Sequence, residues 1–107
     1  MKITTALIKQ ITTALENTCF LHCENVEIME SDEWIIHYRH FLTNCTVSIY
    51  FFDTVDGDCV NIGYYDKDGK YTLFGYMKHL ENRAKETFLF DLCGMLRDLE
   101  NFFSEIY

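Results

Sequence analysis

Cys19, His22 and Cys23 form the pattern Cys-x2-His-Cys, three side chains that can each ligate zinc. A structural zinc site needs a second short ligand cluster, and here only His37 and His40 could serve as distant ligands. Cysteine otherwise behaves as a small buried hydrophobe, so packing is the expected role and no metal or other cofactor is assigned. A thiol beside an imidazole could also act as a nucleophile, given a third group to orient the pair. The chain has five cysteines and four histidines, yet no recognisable nucleophile motif surrounds any of them. Asp66-x-Asp68-Gly69 and Asp56-Gly57-Asp58 look like fragments of calcium loops. Counted from Asp66, the required glycine is replaced by Tyr71 and the closing glutamate by Met77, so both segments read as hairpin turns. The glycines fall singly, and there is no Walker A, Gly-x-Gly-x-x-Gly, His-Glu-x-x-His or Gly-x-Ser-x-Gly motif. The expectation is a protein that is not an enzyme.

What remains is the placement of charge. The chain carries 17 acidic and 9 basic residues, a formal net charge of −8. Such a surface repels nucleic-acid phosphates and anionic lipid, since binding to either depends on Lys and Arg. Direct contact with nucleic acid or a membrane is therefore not expected. The same field attracts a basic protein. Between Glu24 and Asp58 lie Glu24, Glu27, Glu30, Asp32, Glu33, Asp53, Asp56 and Asp58, with Arg39 as the single base. Trp34, Tyr38, Tyr50, Tyr64 and Tyr65 accompany them, aromatic residues of the kind that anchor interfaces. The alternative is an ordinary solvated sheet face with cross-strand aromatic pairs.

The elements that must position these residues follow from periodicity. Ile3, Leu7, Ile11 and Leu15 recur at helical spacing and predict an amphipathic helix over 3–16. From Val26 the period shortens to two. Segments 34–39, 46–52 and 59–65 alternate and are rich in β-branched and aromatic residues, separated by polar and Asp-Gly turns. An antiparallel meander of three to four strands over 26–65 is expected, touching 70–72 at most. Leu73, Phe74, Met77 and Leu80 then fit a short helix, and Phe88 through Ile106 a longer one from about Ala84. The whole is one α+β domain over 1–107: an N-terminal helix, a meander sheet, and a short and a long C-terminal helix on one sheet face. The first residues lack the apolar run of a signal peptide and the cysteine count is odd, so reduced thiols and a cytoplasmic location are expected.

Two functions of different class fit this reading. The first is a small inhibitor that occludes a basic partner, a toxin nuclease or another nucleic-acid-binding effector. Toxin immunity proteins and phage anti-defence proteins of the anti-CRISPR type are commonly small, acidic and single-domain. Its contact surface would centre on Glu30, Asp32, Glu33, Trp34, Asp53, Asp56 and Asp58. The second is a non-catalytic adaptor or structural subunit that oligomerises, for instance as a homodimer, through a sheet edge or helix face. A metal- or small-molecule-binding domain built on the Cys/His residues is the third candidate.

Overall fold

The Oγ1 of Thr4 accepts the N–H of Leu7 at 3.2 Å, a side-chain cap that starts helix α1 (Thr5–Thr18). The computed structural model describes residues 3–18, 21–28, 34–40 and 43–106, with the backbone alone at 5, 14–18, 21–28 and 106. Five strands follow α1: β1 (Leu21–Ile28), β2 (Trp34–His40), β3 (Thr46–Thr54), β4 (Gly57–Tyr65) and β5 (Tyr71–Met77). They form one antiparallel sheet in chain order, β1-β2-β3-β4-β5. A short 3-10 turn (Leu80–Asn82) leads into the long helix α2 (Lys85–Ile106).

Alternation sorts the strand residues onto two faces. On the inner face the register aligns Trp34, Phe51, Val60 and Met77 in one row and Ile36, Ile49 and Ile62 in the next. Tyr38, Val47 and Tyr64 form a third row. Helix α2 lies across these rows with Phe88, Leu92, Leu96, Leu99 and Phe103 buried along one stripe. Phe88 meets Phe51 at one end (centroids 6.1 Å), and at the other Phe103 packs edge-on against Tyr64 at 5.0 Å. Leu7, Ile8 and Ile11 of α1 complete the same core cluster. Above Gly75, the Met95 sulfur lies 3.5 Å from where a Cβ would stand, so a helix side chain fills the space the glycine leaves.

The α+β fold with an N-terminal helix, an antiparallel meander and a long C-terminal helix on one face is therefore present. The expected short helix around Leu73–Leu80 is not. Those residues form β5, and only the 3-10 turn is helical. The cause is a bulge: Ile62 pairs with Gly75 and Gly63 with Leu73, leaving Phe74 as an extra residue. Phe74 reaches Phe102 of α2 (6.0 Å), so Phe74 and Met77 both serve the core at a spacing of three that imitates a helix. The sheet also begins earlier than expected, at Leu21.

Candidate functional site

The β3–β4 hairpin is closed by local chemistry. The Oγ1 of Thr54 accepts the N–H of Asp56 at 3.2 Å and donates to the carbonyl of Gly57 at 2.9 Å. Gly57 adopts φ +116°, which a side chain would strain, and a Cβ there would strike the Glu81 carboxylate. This turn leaves Val55 fully exposed at the hairpin tip, between polar neighbours.

Asp53 and Asp58 stand directly opposite one another in the ladder, one rung from the turn. Glu81 joins them from the 3-10 turn, its Oε2 accepting the N–H of Asp58 at 2.9 Å. The Asp58 carboxyl is raised to about 6, first by its hydrogen bond with the Asp53 carboxyl, then by partial burial and by the charges of Asp53 and Glu81. Glu81 moves the other way, held below its ordinary range chiefly by the N–H of Asp58. Its Oε1 lies 3.7 Å from Nδ1 of His79. Among the described residues no Lys or Arg forms an ion pair with Asp53, Asp56 or Asp58.

On the outer face the same hairpin borders a cleft of about 340 Å³. Its floor is Cys59 and Asn61 of β4, its sides include Phe52 of β3 and Tyr76 of β5, and Asp56, Lys78 and His79 stand around it. The Lys78 ammonium sits over the Tyr76 ring, 5.5 Å from its centroid. Beyond the cleft the outer face carries Tyr50 stacked on Phe52 (5.1 Å) and Tyr65 against Tyr71 (5.0 Å). The outward positions of β2 to β5 carry no Asp or Glu, so the carboxylates of the β3–β4 hairpin sit at the rim of the sheet and not on its open face.

Of the residues singled out in the sequence, the fold brings Asp53, Asp56 and Asp58 together on this hairpin. Glu30, Asp32 and Glu33 lie outside the described residues. Trp34 begins β2 and pairs with Phe51, which places it at the same end of the sheet. Its ring is half-buried against the core and is not a free-standing anchor. Cys19 and the side chains of His22 and Cys23 lie outside the described residues. Among the described residues no cluster of His, Cys, Asp and Glu is arranged to hold a metal, and Cys45, Cys59 and Cys93 are free thiols. No described helix is long and apolar enough to cross a membrane. Glu81 was not legible as part of the site, because 23 residues separate it from the N–H it accepts. Phe52 carried an available signal, its alternation with Tyr50 along β3.

The chain matches no protein-family model, no curated protein and no solved structure.

Proposed function

We propose that the chain is a non-catalytic inhibitor that occludes a basic protein partner, using the acidic hairpin end of the sheet. The observation that carries this reading is the direct opposition of Asp53 and Asp58, with Glu81 beside them and no described Lys or Arg paired to either aspartate. Like charges placed opposite in a ladder destabilise a sheet, so the arrangement works against the fold and in favour of an incoming cation. The fully exposed Val55 at the tip adds an apolar contact beside Asp56. Carboxylates placed this way pair with the Lys and Arg side chains by which a nuclease or nucleic-acid-binding effector holds its substrate. A toxin immunity protein or a phage anti-defence protein would act in this manner, within the cytoplasm.

The alternative is an adaptor that oligomerises through the edge of β5, and exposed Tyr71, Leu73 and Tyr76 lend it some surface. Two features weigh against edge pairing: the bulge at Phe74 interrupts the strand, and Lys70 and Lys78 flank it. The test captures a partner on immobilised chain and asks whether the chain then displaces nucleic acid from it. Displacement by the wild type, lost when Asp56→Lys and Asp58→Lys are combined, supports occlusion. Binding that leaves the partner's nucleic acid in place contradicts it.

A further inference from the structure

The cleft between Phe52 and Tyr76 has the chemistry of a receptor for one particular side chain. Two aromatic rings stand over a floor that carries the Asn61 amide, and Asp56 offers a carboxylate beside them. The volume of about 340 Å³ exceeds that of any single side chain, so an extended one can enter without displacing the core. Tyr76 is 57% exposed, and a cation already sits over its ring, the Lys78 ammonium of the chain itself. The pairing shows that the ring is open to positive charge in this setting. A planar guanidinium stacks on an aromatic face and donates in a fork that matches a carboxylate, which an ammonium does not.

We infer that this cleft takes an arginine side chain of the protein partner, its guanidinium stacked on Tyr76 and donating to Asp56 and Asn61. The inference rests on the reading that a basic protein docks at the acidic end, and it names the residue by which that partner is gripped. The charge of the surroundings favours a cation: Asp56 lines the cleft itself, and Asp53 and Asp58 stand at the same end of the sheet, on the side of the inward-facing Phe51 and Val60. Lys78 is the opposing term. It holds the ring in the free protein and must swing away when arginine enters, so it competes with the guest.

The test titrates the full chain with capped arginine, and separately with capped lysine, following the amide resonances of Asn61 and Tyr76. Arginine is expected to bind saturably and at least about threefold more tightly than lysine, the usual scale of an exposed cation–ring contact. Tyr76→Ala should weaken arginine binding by a similar factor while leaving the core untouched, since this ring lies outside it. Lys78→Met should strengthen it. Equal binding of the two amino acids, indifference to Tyr76→Ala, or weaker arginine binding in Lys78→Met overturns the inference. A parallel titration with an oligolysine peptide separates this failure from that of the wider reading. Salt-sensitive shifts along 53–58 with Asn61 and Tyr76 unmoved by arginine would leave the acidic docking surface standing and remove the cleft. No response to either probe would remove both.

Discussion

Asp53 and Asp58 share one rung of the β3–β4 ladder, and the energetics of the site begin with that pair. The Asp58 carboxyl titrates near 6 in the fold, whereas an unfolded aspartate titrates near 4. The native state therefore binds this proton more tightly than the unfolded chain. The resulting stabilisation is complete below about pH 4 and is lost as pH rises through about 6. Asp58→Asn removes the repulsion and keeps the backbone N–H that Glu81 accepts. It should raise the thermal midpoint at pH 7.5 and have a much smaller effect at pH 4.5. His40, whose pKa burial lowers, is common to the two proteins, so its titration cancels in the difference. An equal midpoint shift at both pH values would show that the pair carries no repulsion. Gly63 is a second position where one atom decides the packing. A Cβ there would collide with the Tyr71 hydroxyl and with the Thr72 carbonyl oxygen, and the latter belongs to the neighbouring strand's backbone. Gly63→Ala should cost about 1–3 kcal/mol in denaturant unfolding, the range of an overpacked site.

Helix α2 is the element that the sequence described best. Its stripe of large apolar residues returns every three or four positions over 22 residues, and tertiary packing had only to follow it. Leu96, fully buried at the middle of the stripe, should cost about 2–5 kcal/mol when replaced by Ala, read from urea unfolding. An unchanged midpoint would mean that the helix does not rest on the sheet. Strands β3 and β4 were equally legible, since each alternates and an Asp-Gly turn lies between them. Strand β5 was not. Its bulge shifts the parity of the inward residues, and periodicity alone cannot tell a bulged strand from one turn of helix. The two turn aspartates and Gly69 that precede it held the better clue. Oδ1 of Asp66 accepts the N–H groups of Asp68 and Lys70, closing the β4–β5 hairpin that aligns β5 with β4. Of the site, the hairpin carboxylates were visible as a local run of charge. Glu81 and the Tyr76 wall reach it through long-range pairing, which no spacing along the chain encodes.

At the scale of the molecule, helices cover one face of the sheet, and the other carries aromatic rings without carboxylates at the outward positions of β2 to β5. The described carboxylates of the hairpin gather at one end, beside the cleft. A chain of net charge −8 so arranged attracts positive charge toward that end, which is how the proposed basic partner would be drawn in before any contact forms. Rim charges then act on encounter more than on residence. Recognition of a basic protein is the role proposed for this end. Its most direct test is the association rate of the captured partner, measured at low and at physiological salt, for the wild type and for the combined Asp56→Lys and Asp58→Lys variant. Association should slow steeply with salt, and about tenfold or more on charge reversal at low salt, with dissociation changed far less. Rates indifferent to both salt and charge reversal would contradict that role.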